Sequence, residues 1–131
     1  MSANVELIQG IYAAFGRGDV AAIQAANSED TVWRVIGSSD YPLHRPLQGR
    51  AGILEFFTLV AQHEDFSELA PQSFHDAGDH VFVLGHAAYT LKTTGKAVDT
   101  DFVHVWDIRN GQVTGFREFA DTAQVVAGFS A

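Results

Sequence analysis

The stretch from Val103 to Asp121, V-H-V-W-D-I-R-N-G-Q-V-T-G-F-R-E-F-A-D, constrains the fold of this chain most, because two alternating segments flank an Asn-Gly pair. That pattern is the strongest short-range signal for a β-hairpin. On its second strand Phe116, Glu118 and Ala120 share one face, so a carboxylate points into apolar company. On the first strand Phe102, His104, Trp106 and Ile108 form one row. The turn decides whether the two rows coincide. A two-residue loop of Asn110 and Gly111 sets position 104 opposite 117; a three-residue loop from Arg109 to Gly111, with a glycine bulge, sets 104 opposite 116. Only the second joins His104 to Glu118, and it is favoured because it gathers Phe102, His104, Phe116 and Glu118 and leaves Arg109 and Arg117 outside.

Upstream, Val5, Ile8, Ile11, Tyr12 and Phe15 recur at helical spacing up to Gly16 and Gly18, and Asp19 caps a short second helix through Ala26. Thr31 to Ile36 alternates as a strand and runs into a Pro-containing loop, Gly37 to Gly49. A third helix carries Ile53, Phe56, Phe57 and Val60 on one stripe. Everything from there to Ala120 reads as four strands, with turns at Asp76 to Asp79, Thr94-Gly95 and Asn110-Gly111. Asp121, with Gln124 three residues on, starts a last helix over Thr122 to Ala127. The order predicts an α+β domain spanning residues 1–131, with helices covering one face of a mostly antiparallel sheet.

A chain of 131 residues buries roughly two-thirds of its unfolded surface in one core. With 8 basic against 16 acidic residues the formal charge is −8, and no basic cluster interrupts it. Nucleic acid and anionic membrane are poor partners for such a surface. The start lacks a basic leader, and no apolar run reaches membrane-spanning length, so a soluble cytoplasmic protein is expected. The chain has no cysteine, hence neither a thiolate nucleophile nor a thiolate metal site. No H-x-H or H-E-x-x-H spacing links its six histidines and no Gly-rich phosphate loop joins a strand to a helix, so neither metal nor cofactor is expected.

Several motifs in fixed order carry a resemblance: F-G-R-G-D after the first helix, V-W-R-V-I-G before the Pro-rich loop, G-R-A-G-I-L-E-F-F opening the third helix, and the final hairpin. Together they resemble the nuclear-transport-factor-like superfamily (cystatin-like architecture), and within it SnoaL-like and ketosteroid-isomerase-related proteins. The resemblance implies a strongly curved sheet closed by helices into a cone around a deep apolar pocket. On the ketosteroid isomerase pattern the general-base aspartate falls on Arg34, the oxyanion-hole tyrosine on Ile11, one residue from Tyr12, and the protonated aspartate on His104. On the limonene epoxide hydrolase pattern an acid maps to Glu118, but its arginine and aspartate partners fall on Gly85 and Ala87. The SnoaL-like cyclases match better, their histidine and base aspartate having the spacing of His104 and Glu118. Relatives with this fold are commonly dimeric.

Glu118 is therefore the candidate base for a carbon acid, and His104 the group that bonds the developing enolate or returns the proton. A pairing of Glu118 with Arg34 or His104 in a structural network is the alternative. Tyr12, Phe15, Trp33, Phe56, Phe82, Tyr89, Phe102, Trp106 and Phe116 are candidate pocket walls, although aromatics at such spacing are more often plain core. Asp40, Tyr41 and His44 are placed at the pocket mouth on the long loop, and Arg34 as a carboxylate clamp or a counter-charge. These assignments point to cofactor-free isomerisation, aldol cyclisation or dehydration of a small apolar or aromatic carbonyl compound, or to a non-catalytic pocket. An outward row of Val103, Val105, Val113 and Phe119 predicts a homodimer through the sheet's other face.

Overall fold

The computed structural model describes residues 2–130. Two helices open the chain, α1 (Ala3–Gly16), whose Ser2 cap accepts from the Val5 amide, and α2 (Val20–Ala25), capped by Asp19 through the Ala22 amide. Strands β1 (Asn27–Val35) and β2 (Leu47–Gln48) flank the irregular segment, and α3 (Gly49–His63) leads into a meander of β3 (Glu64–Asp76), β4 (His80–Leu91), β5 (Ala97–Arg109) and β6 (Gln112–Ala120). Helix α4 (Thr122–Ser130) follows. The six strands lie in the order β2-β1-β6-β5-β4-β3, with β1 and β6 parallel and every other pair antiparallel.

The register of β3 on β4 shifts between Phe66 and Glu68 and again between Pro71 and Ser73, and each bulge adds local twist and bend. The sheet is consequently curved. Its concave face, α1, α3 and one side of α4 enclose a single core cluster that includes Ile8, Ile23, Trp33, Ile53, Val83 and Val113. This is the mixed α+β arrangement that the order of elements predicts.

Three boundaries differ from the sequence expectation. β1 begins at Asn27, four residues before the alternation of Thr31 to Ile36 starts. Asn27 is wholly buried, and its side-chain oxygen accepts from Thr31 Oγ1 at 2.8 Å and Trp33 Nε1 at 2.9 Å, so side-chain bonds carry this polar end of the strand. The short β2 falls inside the stretch read as loop. Helix α4 passes Gly128 to reach Ser130, because the Phe129 ring packs on Tyr41 with centroids 5.1 Å apart.

The most consequential correction concerns the hairpin. Arg109 pairs with Gln112, so the loop has two residues, and Asn110 (φ 53°) and Gly111 (φ 75°) take the left-handed conformations of a type I′ turn. That loop alone would set His104 opposite Arg117. Asp107 pairs with Gly115 while Ile108 pairs with Val113, however, which leaves Thr114 as an extra residue. This bulge moves the pairing by one, and His104 stands directly opposite Glu118. The two residues share a face for a different reason than the favoured three-residue loop supplied. The same bulge turns Val113 inward, where it is fully buried, so Val113 drops out of the outward row. Val105 is also covered, at 5% exposure.

Candidate functional site

Between the concave face and the helices lies a cavity of about 80 Å³, room for roughly half a dozen waters. Helix α1 contributes Tyr12 and Phe15, β1 contributes Trp33, and α3 contributes Phe56 and Phe57. The irregular segment after β1 supplies Tyr41, Leu43 and His44, and β4 supplies Tyr89. Phe102, His104 and Trp106 come from β5, and Phe116, Glu118 and Ala120 from β6. Val125 of α4 closes the lining.

Cross-strand pairing positions the central group. His104 Nε2 lies 2.8 Å from Glu118 Oε1, and its Nδ1 lies 2.6 Å from the Tyr12 hydroxyl, which also accepts from Trp106 Nε1 at 3.1 Å. Burial, opposed by the Trp106 N–H and reinforced by the charge of Glu118, pushes the Tyr12 phenol well above its ordinary range. The phenol therefore keeps its proton. With Trp106 donating to Tyr12, the phenol donates to Nδ1, and the Nε2 proton is left to donate to the Glu118 carboxylate. This assignment gives every donor one acceptor. The imidazole is clamped from both sides: the Phe102 ring stacks on it with centroids 3.9 Å apart, and Phe116 meets it edge-on at 5.0 Å. His104 is 4% exposed, whereas the Glu118 side chain keeps 28% of its surface. The carboxylate is thus oriented by a fixed donor and still reachable.

A second carboxyl lines the same cavity. Glu64, at the junction of α3 and β3, accepts from the Tyr41 hydroxyl at 2.6 Å. Burial raises its pKa from 4.5 to about 8; the Tyr41 hydrogen bond opposes the shift and the Glu118 charge adds to it. Tyr41 and Tyr89 are themselves pushed upward, chiefly by burial and then by the charge of Glu64. Sequence reasoning misses Glu64, although Ile53, Phe56, Phe57 and Val60 define a stripe whose next position, four residues after Val60, is Glu64. An acid continuing an apolar stripe is the signal that could have found it.

Three of the assigned residues lie elsewhere. Arg34 is exposed on the outer face, because Trp33 and Val35 on either side point inward; it pairs with Arg117 across β1 and β6 and neither clamps nor balances Glu118. Phe82 is 36% exposed, since Val81 and Val83 take the inward positions of β4. Asp40 is exposed and accepts from Ser38 Oγ at 2.8 Å, away from the cavity. Its loop neighbours do reach inward: Tyr41 is 2% exposed and His44, whose Nδ1 is 2.7 Å from the Ser38 carbonyl oxygen, is 6% exposed. Gly37 makes this possible, as a Cβ there would fall 2.5 Å from His44 Nδ1. Where the epoxide hydrolase pattern needs an arginine, the Phe102 ring occupies the space a side chain on Gly85 would need. Among the described residues no three His, Asp or Glu side chains are placed to hold a metal, and no helix is long and apolar enough to cross a membrane.

The SnoaL-like domain family matches residues 8–116 of the chain. This protein belongs to the SnoaL-like family. Its structure is similar to that of a nuclear-transport-factor-2-like protein of unknown function from Burkholderia pseudomallei, at 32% identity over 100% of both chains with a TM-score of 0.90. It is similar also to TerC, crystallised with polyporic acid, at 32% identity over 99% of this chain and 100% of that one with a TM-score of 0.87. A Catenulispora acidiphila protein of ketosteroid isomerase-like fold, in complex with trimethylamine, shares the fold at 16% identity, covering 94% and 91% of the two chains with a TM-score of 0.75. No curated protein matches the sequence.

Proposed function

We propose that this SnoaL-like protein binds a compact apolar or aromatic carbonyl compound in the cavity and moves a proton at a carbon beside the carbonyl, with Glu118 as the base. The observation that carries this is the 2.8 Å bond from His104 to Glu118 inside an aromatic enclosure. A carboxylate held by one fixed donor keeps its remaining lone pairs for a substrate C–H. Both ring nitrogens of His104 are engaged, one by Tyr12 and one by Glu118. His104 therefore orients Glu118 and is a positioning residue. Isomerisation, aldol cyclisation and dehydration all begin with this proton abstraction. The co-crystal of TerC with polyporic acid supports an organic occupant.

The test is solvent exchange of the α-protons of 2-indanone in deuterated buffer, followed by NMR. The protein should accelerate exchange above the buffer rate, and Glu118→Gln should cut that acceleration by about a hundredfold or more. Equal exchange by the two proteins would remove Glu118 as the base. Unaccelerated exchange with the ketone bound in the cavity would leave a binding protein of the same fold.

A second copy of the chain is the partner we propose for the outer face. Leu84 pairs with Val103 and Val103 with Phe119, so an apolar row crosses β4, β5 and β6, with Leu84 43% and Phe119 42% exposed. The charged groups bordering it pair within the chain: His86 with Asp99 and Asp101, Arg117 and His80 with Asp107. Most of the charge around the row is thus engaged within the chain, which leaves its apolar centre for a like copy. Light scattering at micromolar concentration should give twice the chain mass, and Leu84→Glu should halve it; a monomeric wild type would dismiss the interface.

A further inference from the structure

The mechanism above leaves the substrate oxygen without a partner, because His104 has no free ring nitrogen to offer it. Glu64 meets that need. Tyr41 donates to Glu64 Oε2, while Oε1 has no hydrogen-bond partner among the described residues and keeps some accessible surface on a residue that lines the cavity. When Glu64 carries its proton, the Tyr41 bond to Oε2 leaves that proton on Oε1, as a donor with no partner among the described residues. Glu64 and Glu118 stand on β3 and β6, with β4 and β5 between them. Different strands thus carry the two carboxyls into one cavity, where the charge of Glu118 is felt at Glu64.

We infer that the Glu64 carboxyl, fixed by Tyr41, is the hydrogen-bond donor that seats a neutral acceptor oxygen of the ligand, and that it commits the cavity to ketones, aldehydes or quinones in preference to hydrocarbons of the same shape. This rests on the cavity being a ligand site. Burial and the repulsion of the Glu118 carboxylate on β6 favour the neutral state of Glu64 and outweigh the Tyr41 hydrogen bond, which favours the anion, while Tyr41 from the loop and Tyr89 from β4 stay uncharged phenols. His44 lies beside Tyr41, with ring centroids 5.1 Å apart, and is tied to the Ser38 carbonyl oxygen. His104 and Tyr12 complete the titratable lining and are engaged with Glu118 and Trp106. Burial raises the Glu64 pKa to about 8, so the donor is present at neutral pH and disappears in base.

The experiment is an NMR-monitored titration with acetophenone and with ethylbenzene, which matches it in shape and lacks the oxygen, at pH 6 and at pH 9.5. Wild type should bind acetophenone about fivefold more tightly than ethylbenzene at pH 6, the worth of one net hydrogen bond. That preference should vanish at pH 9.5. Glu64→Leu should bind the two probes alike at both pH values. Glu64→Gln, whose amide donates without titrating, should keep the preference at both. Should the Leu variant fail to fold, pH-independence of the Gln variant decides the matter. Equal binding of the two probes by wild type at pH 6, or a preference that survives in Glu64→Leu, overturns the role of Glu64 and leaves the cavity a ligand site. Binding of neither probe overturns both.

Discussion

Glu118 and Glu64 are two carboxyls lining one cavity of one small protein, and their surroundings assign them opposite characters. Glu118 receives an N–H from His104, whose own orientation is set by the Tyr12 hydroxyl and behind it the Trp106 indole. Among the described residues Glu64 receives only a phenol O–H, from Tyr41. A single neutral donor does not offset the loss of hydration, and burial wins: the Glu64 pKa rises to about 8. Enclosure by aromatic rings is common to both. Their partners separate them, an imidazole N–H for Glu118 and a phenol O–H for Glu64.

The largest effect expected from this difference is on stability. Because the folded-state pKa of Glu64, about 8, lies above its ordinary 4.5, the native state holds a proton that the unfolded chain has released. The Glu64 contribution is fully present below about pH 4.5, is lost as pH rises through 8, and levels off above. Its size is on the order of several kcal/mol. Urea denaturation at pH 5, 7 and 9 should show this decline in wild type and a much flatter profile in Glu64→Gln. Glu118→Gln, by removing one negative charge from the cavity, should bring the Glu64 midpoint down. A Glu64→Gln variant as pH-sensitive as wild type would erase the distinction between the two carboxyls.

Tyr41→Phe sharpens the comparison at a smaller scale. Its hydroxyl lowers the Glu64 pKa, against the dominant effect of burial, so its removal should move the Glu64 midpoint above 8. A shift of about one unit corresponds to roughly 1.4 kcal/mol. Carbon-13 NMR of the labelled glutamate carboxyls reads it directly, with Glu64→Gln assigning the signal. A downward shift would mean that Tyr41 had been crowding the acid and not bonding it.

The two carboxyls were also unequally legible. Glu118 shows in the sequence because it interrupts an otherwise apolar alternation in the middle of a strand, where period two holds on both sides. Glu64 sits where the helical period ends and the strand period begins, so neither frame isolates it, even though the α3 stripe and the β3 alternation with Phe66 both run through it. Alternation also carried information that aromatic or charged side chains obscured: Trp33 and Val35 inward require Arg34 outward, and Val81 and Val83 require the same of Phe82. The helices, the meander and the position of the last hairpin were legible because they rest on local chemistry, whereas the two-residue form of its turn was not the one favoured. The bulge at Thr114 was not. It coincides with the docking of β1, whose own register jumps from Asn27 opposite Val113 to Val32 opposite Gly115, a contact between segments some eighty residues apart in sequence.

The smallest predicted effect probes the turn that holds one carboxyl and not the other. Asn110 stands at φ 53°, a left-handed conformation that costs an ordinary L residue about 1 kcal/mol and that asparagine tolerates better. Asn110→Ala should lower stability by about that amount in urea denaturation, because the hairpin that pairs His104 with Glu118 is closed by this turn. Asn110→Gly adopts the same backbone without a Cβ and should recover most of the loss. Glu64 lies on β3, which β4 separates from the nearer strand of this hairpin, so its carboxyl midpoint should stay unchanged in both variants. A midpoint that moved with Asn110→Ala would show the two carboxyls to be mechanically coupled through β4 and β5, and their separate characters would then have to be explained together.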